Sequence, residues 1–195
     1  MQLKKVNVFD MVVGILLIGS LWGVSEVVLG KIFRAVDLTF RSGILTGIGF
    51  GFIAIVFAIY KKPLMIFGIT IVTALCKLLV VPILHHTLNI NSCTAVLLEG
   101  FLLGSILYVA CKFIKNWSVS IQAIFPAVSA FMAAVFFWLI GMHLVPCKYL
   151  LSFSGVSGFF RFLTIEGLSW AVLSSVFFVF GFALGKYLKN VHQNF

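Results

Sequence analysis

Long apolar runs separated by short polar stretches dominate the sequence. The runs are continuous and show no alternation of apolar and polar positions, which a membrane β-strand would require. Each is close to the roughly 20 residues that a helix needs to cross a bilayer, and a helix satisfies its own backbone in lipid. The pattern predicts a six-transmembrane-helix bundle, with spans at about 8–30, 43–60, 64–84, 93–114, 119–145 and 167–187.

Composition supports this prediction. Hydrophobic residues make up 62% of the 195 residues, charged residues make up 10%, and the mean hydropathy is +1.19. These values lie outside the range of soluble domains. Six spans and their connections leave no room for a soluble catalytic domain, so we predict a single all-α membrane domain, 1–195. The first apolar run is longer than a usual signal peptide and no A-x-A site follows it, so we interpret it as a retained span.

Basic residues predict the orientation of the helices. The N-terminus, the second and fourth connections and the C-terminal tail carry eight lysines: Lys4, Lys5, Lys61, Lys62, Lys112, Lys115, Lys186 and Lys189. The first and fifth connections carry five basic residues: Lys31, Arg34, Arg41, Lys148 and Arg161. Because the positive-inside rule has most force in short connections, we predict a multi-pass protein of the plasma membrane with both termini in the cytoplasm.

The long connections then fall on the outer side. They read KIFRAVDLTFRS, HHTLNINS and CKYLLSFSGVSGFFRFLTIE, and they contain Arg34, Arg41 and Arg161, the three arginines of the chain. Connecting loops often carry binding residues. We therefore expect long outer loops and a binding function on that face.

Five ionisable residues lie within the predicted spans or at their outer ends. They are Glu26, Lys77, Glu99, His143 and Glu166, whereas Asp10 lies at the inner end of the first span. A charge at membrane depth costs about 2.5–3.5 kcal/mol and usually faces a partner or a wet cavity. Two interpretations stay open: a structural network of ion pairs, with His143 and Glu166 reaching the interface, or an outward-opening polar pocket. Clustering across several helices favours the pocket.

The charges of this region narrow the ligand class. Arg34, Arg41, Arg161 and Lys77 supply cationic groups near the glutamates, and arginine suits the recognition of carboxylates or phosphates. We expect a small polar solute, anionic or zwitterionic. Aromatic residues available for stacking are Phe33, Phe40, Phe159, Phe160 and Trp170.

Glycines at spacing four recur in several spans. They are Gly19 with Gly23, Gly43 with Gly47 and Gly51, Gly100 with Gly104, and Gly181 with Gly185. This spacing lets two membrane helices approach closely. The glycines indicate either tight packing within the bundle or a docking face for another membrane subunit.

Motifs of other functional classes are missing from the sequence. The cysteines show no C-x-x-C spacing, and the adjacent His85 and His86 have no third metal ligand at helical spacing. Neither a G-x-S-x-G motif nor an H-E-x-x-H motif nor a P-loop occurs. We therefore expect no enzyme activity, no metal and no cofactor. The net charge of +9 reflects membrane topology and not a nucleic-acid partner.

The chain resembles the substrate-binding S components of energy-coupling factor (ECF) transporters. The shared features are the length, the six spans, the cytoplasmic termini, the long outer loops and the small-residue spacing in GSLWG. The resemblance covers the whole chain and is architectural. It implies capture of a vitamin-like solute from outside, and association with a transmembrane coupling subunit and two ATP-binding cassette ATPases. In that family an A-x-x-x-A spacing on the first helix contacts the coupling subunit, and here Gly19 and Gly23 have the comparable spacing. The N-terminal Met-His signature of the nickel and cobalt S components is missing.

Two other function classes stay open. A small proton-coupled secondary carrier would use Glu26, Lys77 and Glu99 as a proton relay. A non-enzymatic membrane scaffold would need none of these groups. In every case membrane lipid surrounds the chain, and the S-component hypothesis adds a small-molecule substrate.

Overall fold

A computed structural model describes residues 7–83, 90–114, 116–144 and 148–193. These residues form helices joined by short connections, and the described part contains no strand. The helices are α1 (Val8–Ala35), α2 (Arg41–Tyr60), α3 (Leu64–Ile83), α4 (Ile90–Phe113), α5 (Val119–His143), α6 (Lys148–Leu151), α7 (Gly155–Phe162) and α8 (Leu168–Gln193). A π-helical turn, Leu163–Gly167, joins α7 to α8. His85 and His86 lie outside the described residues.

Five stretches of helix are long and apolar enough to cross a membrane. They are Val8–Ala35, Arg41–Tyr60, Ile90–Phe113, Val119–His143 and the continuous stretch Gly155–Val191. In α3 the apolar stretch Leu64–Leu79 is shorter. The chain is therefore a membrane-embedded, multi-pass bundle of helices, as the hydrophobic pattern predicts.

The prediction of long outer loops is wrong for the first and last of the three. Helix α1 continues to Ala35 and α2 begins at Arg41, which leaves only residues 36–40 between them. Most of the segment predicted as the last outer loop is helical, in α6, α7 and the π turn. Lysine and arginine are good helix formers, so a charged residue ends the apolar run without ending the helix.

Helices α2 and α8 pack side by side, as do α1 and α3, and α5 lies against both α4 and α8. The interior between them holds fully buried aromatic side chains, including Trp22, Phe50, Phe57, Phe162 and Phe178. These rings make up much of the apolar interior of the bundle.

Glycines bring the helix backbones together within the chain. A Cβ atom at Gly47 would lie 2.7 Å from the Phe177 ring on α8, and one at Gly185 would lie 2.6 Å from the Ile55 carbonyl oxygen on α2. Real Cβ atoms essentially never approach so closely. The prediction of tight packing inside the bundle is confirmed for the α2–α8 pair.

Gly19 and Gly23 also face a neighbour within the chain. A Cβ atom at Gly19 would lie 2.7 Å from Cβ of Val72, and one at Gly23 would lie 2.7 Å from Cβ of Cys76. Both glycines are buried against α3. The interpretation of Gly19 and Gly23 as a docking face for a partner subunit is therefore corrected, because α3 already covers that face of α1.

The α2–α8 contact gives a stability prediction with a matched control. We expect Gly185→Ala to destabilise the protein by about 1–3 kcal/mol, because the added methyl group must displace the α2 backbone. Gly51→Ala should have little effect, since its Cβ would lie at an ordinary 3.4 Å from the Phe177 carbonyl oxygen. Thermal unfolding in detergent micelles measures both variants. Equal melting temperatures would contradict the packing argument.

At the opposite end of the bundle from the α1–α2 connection, Lys61 follows α2. Its Nζ atom lies 4.1 Å from the centroid of the Phe182 ring, and Lys186 lies 5.0 Å from the same centroid. Partial burial, together with repulsion by Lys186, lowers the pKa of Lys61 to about 8. This end presents lysines on aromatic rings, in contrast to the mixed charges at the other end.

Candidate functional site

A cavity of about 540 Å³ opens at the end of the bundle where α1 runs into α2. The end of α1, the start of α2, the end of α3, the start of α4, the end of α5 and the start of α8 all contribute to its wall, together with α6, α7 and the π turn. Its polar lining comprises Glu26, Lys31, Arg34, Arg41, Ser42, Lys77, Asn91, Ser92, Tyr149 and Glu166. The volume is that of a site for a small molecule.

An ion pair between α1 and α3 forms part of the wall. Lys77 Nζ lies 2.7 Å from Glu26 Oε2, and both side chains are buried, with 6% and 7% of their surfaces exposed. Lys77 also donates to the Ser92 carbonyl oxygen at 3.3 Å, and Trp22 Nε1 donates to Glu26 Oε1 at 3.4 Å. Each charge therefore has its counter-charge and a further polar contact, which offsets much of the cost of removing it from water.

Glu166 lies in the π-helical turn and also lines the cavity. The Ser42 hydroxyl from α2 donates to its Oε2 atom, and the Tyr149 hydroxyl from α6 donates to its Oε1 atom. The carboxylate thus ties three separate elements together. π-Helical turns inside longer helices occur frequently at functional sites.

Positive charge exceeds negative charge in the lining. Lys31, Arg34, Arg41 and Lys77 face only two carboxylates, those of Glu26 and Glu166. Within the described ranges, the Glu26–Lys77 contact is the one salt bridge, so no carboxylate neutralises Lys31, Arg34 or Arg41 there. The lining therefore carries an excess of positive charge.

Aromatic side chains form a third part of the wall. Phe137, Phe162 and Trp170 line the cavity, and the ring centroids of Phe137 and Trp170 lie 5.8 Å apart. Nε1 of Trp170 is a buried donor with no hydrogen-bond partner among the described residues. A buried donor without a hydrogen-bond partner costs free energy.

Glu99 lies one helical turn deeper than the cavity wall. Ala95 on α4 and Ser42 on α2 line the cavity, and Glu99 and Thr46 follow them by four residues on the same helices. Glu99 is 3% exposed, and its Oε1 atom lies 2.8 Å from the Thr46 hydroxyl. Its Oε2 atom has no partner in the described part of the chain.

The structure brings together five of the eight candidate binding residues. Glu26, Arg34, Arg41, Lys77 and Glu166 line the cavity. Glu99 lies beneath it, whereas the exposed His143 and Arg161 are not part of the lining. The Arg161 guanidinium lies 5.9 Å from the Phe153 ring centroid instead.

The aromatic candidates divide in the same way. Trp170 lines the cavity, while Phe33, Phe40, Phe159 and Phe160 do not. Phe159 packs against Trp138, and 61% of Phe160 is exposed. The aromatic candidates from the predicted last outer loop thus lie away from the site.

Sequence reasoning missed several lining residues. Ser42 and Tyr149 carry no charge, so neither contrasts with its neighbours as an ionisable residue in an apolar run does. Lys31 could have been found, because it lies one turn before Arg34 on a helix that continues past the apolar run. Lys31 was missed because the hydrophobic pattern does not predict that α1 continues to Ala35.

The two acidic groups of the lining already have partners within the chain. No cluster of three or more histidine, cysteine, aspartate or glutamate residues that could hold a metal ion occurs among the residues described. The carboxylates of Glu26 and Glu166 are both engaged, by an ammonium group and by hydroxyl groups. Lys31, Arg34 and Arg41 are the cationic groups of the lining that form no salt bridge with a described residue.

Comparisons of the chain with protein-family models, with curated proteins and with solved structures found no match.

Proposed function

We propose that this chain is a membrane-embedded substrate-capture subunit, of the type found in ECF transporters, and that it binds a small anionic or zwitterionic solute. The observation that carries the proposal is the cavity at one end of the bundle, where four cationic side chains face two carboxylates. The cavity wall is built by α1 to α8 and the π turn, elements from distant parts of the chain, so the cavity forms only when the bundle has assembled.

The proposal includes a topology with six membrane spans and both termini in the cytoplasm. The six helices α1 to α5 and α8 would be the spans, and the cavity would then open on the outer side. The excess of lysines at the opposite end supports this orientation under the positive-inside rule. An outward-facing cavity is what a capture subunit needs.

Reporter fusions test this orientation. A reporter that is active only in the cytoplasm, fused after Phe195, should give a strong signal, and one that needs the outer side should give none. The reversed pattern would place the cavity on the cytoplasmic side and would refute capture from outside.

Copurification tests the subunit role. We expect the tagged chain, extracted in mild detergent from its own membrane, to bring down a coupling membrane subunit and a pair of ATP-binding cassette ATPases. An unrelated tagged membrane protein of similar size serves as the control and should bring down neither. Recovery of the chain alone would contradict the ECF assignment.

The proton-coupled carrier is the competing function, and Glu99 is the observation that favours it. A buried carboxyl group beneath a binding cavity is a suitable proton acceptor in a transporter. However, a proton relay needs further acidic groups between Glu99 and the opposite end of the bundle. Among the described residues, only the exposed Asp10 of α1 lies on that side. Uptake into liposomes by the isolated chain, driven by a proton gradient and without an ATPase, would establish the carrier.

Ligand binding can be measured before any partner is known. Thermal-shift screening of the purified chain should show stabilisation by small carboxylates and phosphate monoesters, and none by permanently cationic compounds of similar size. Stabilisation by ligand follows from binding to the folded state alone. A response only to cationic or apolar compounds would refute the anion assignment.

A further inference from the structure

We propose that Glu99 is a proton-binding site, and that the folded protein holds it as a neutral carboxylic acid with its proton on Oε1. Three geometric observations concern this residue, which does not line the cavity. No described residue forms a salt bridge with Glu99, its Oε1 atom lies against the Thr46 hydroxyl group, and it lies beneath the cavity.

The nearby cation, Lys77, is already paired with another carboxylate. The charged groups that act on Glu99 are Glu26 on α1 and Lys77 on α3. Lys77 lies 2.7 Å from Glu26 and donates a further bond to the Ser92 carbonyl oxygen. Helix α2 presents the uncharged Thr46, and no described cation forms a salt bridge with Glu99. An ionised Glu99 would therefore be a buried charge without a counter-charge among the described residues, which is a strongly unfavourable state.

The hydrogen bonds of Thr46 also support a neutral Glu99. Its Oγ1 atom lies 2.8 Å from Glu99 Oε1 and 2.9 Å from the Ser42 carbonyl oxygen. A hydroxyl group has one proton to donate, and a backbone carbonyl can only accept. Both short contacts are hydrogen bonds if Thr46 donates to Ser42 and the Glu99 carboxylic acid donates to Thr46.

The remaining oxygen fits a neutral acid as well. Glu99 Oε2 is buried and has no partner among the described residues. In a neutral acid this atom is a carbonyl oxygen, and the cost is one missing weak hydrogen bond. In a carboxylate the same atom would carry part of a full negative charge, and the cost of leaving it without a partner would be larger. The neutral form is thus the one that the surroundings can accommodate.

A neutral Glu99 changes the field in the cavity above it. Thr46 and Ser42 are one turn apart on α2, and Ser42 donates to Glu166 in the lining. An ionised Glu99 would offset part of the positive charge of the lining, and a neutral Glu99 does not. This consequence for anion binding rests on the proposed function, whereas the proton site itself does not.

Infrared spectroscopy of the full chain in nanodiscs tests the proposal without any ligand. At neutral pH the wild type should show the carbonyl stretch of a protonated carboxylic acid, with the small downshift in D₂O that such a group gives. Glu99→Gln should lose this band entirely. Asp10→Asn is the matched control, since Asp10 is exposed and its replacement should leave the band unchanged.

Two further results decide the assignment if the band is weak. Thr46→Val removes the acceptor and should shift the frequency of the band while keeping its intensity. Glu99→Gln should unfold within a few degrees of the wild type, because glutamine matches a neutral glutamic acid in size and charge. Absence of the band from the wild type, its persistence in Glu99→Gln, or failure of Glu99→Gln to fold would each overturn the proposal. Because no ligand is used, these results leave the proposed function to its own tests.

Discussion

Replacing Lys77 by methionine should destabilise the protein by about 3–5 kcal/mol, because the change leaves the Glu26 carboxylate buried without its counter-charge. The two groups are 2.7 Å apart and almost fully buried. Methionine keeps the length and the apolar stem of the lysine side chain, so the loss of the charge dominates the effect. Equilibrium unfolding in mixed micelles measures the free-energy change.

The double variant Glu26→Gln with Lys77→Met distinguishes pairing from packing. Removing both charges together often costs little, since neither group is then left unpaired. We therefore expect the double variant to recover most of the stability lost in Lys77→Met. Lys112→Met is the surface control, because Lys112 is exposed at the end of α4 and its loss should change little. A double variant as unstable as Lys77→Met would refute the ion-pair argument.

Replacing Arg34 and Arg41 by glutamine should weaken binding of an anionic ligand by about 10- to 100-fold per arginine, because hydrogen bonds to charged groups contribute about 1.5–3 kcal/mol each. Both residues line the cavity and neither forms a salt bridge with a described residue. Titration calorimetry with the most stabilising carboxylate or phosphate monoester from the thermal-shift panel measures the dissociation constant.

Arg161→Gln is the matched control for this pair. Arg161 is the third arginine of the chain, but it lies over the Phe153 ring and does not line the cavity. Its replacement should leave the dissociation constant within about twofold of the wild type, since a screened charge outside the cavity acts weakly. A larger loss of affinity in Arg161→Gln than in the Arg34 and Arg41 variants would show that the anion binds elsewhere.

The ionisable residues within the spans were the easiest candidates to predict. A charged residue in an apolar helix is costly unless it has a partner, so Glu26, Lys77 and Glu99 stand out from their neighbours. Their depth could also be predicted, because a helix rises about 1.5 Å per residue and the spans are well marked. Their partners could not, since helix rotation decides whether Glu99 meets Lys77 or Thr46.

The residues beyond the apolar runs were harder to predict. Hydropathy marks where a helix leaves the lipid, but α1 continues for five residues past the predicted end at residue 30. The continuation places Lys31 and Arg34 on the cavity wall in a fixed register. In the same way, helices α6 and α7 replace a predicted loop and bring Tyr149, and not Arg161, to the site.

By itself, the sequence determined that this is an all-helical membrane protein with ionisable residues concentrated toward one end, because burial of apolar surface and the cost of buried charge act on each residue locally. Only the tertiary structure decided which charges pair, that Gly19 and Gly23 seat α1 against α3, and that Glu99 meets a hydroxyl group instead of a lysine. Those outcomes depend on how each helix is rotated about its axis. The rotation is set by packing against neighbours distant in sequence, where one small residue on one helix admits a large one on the next.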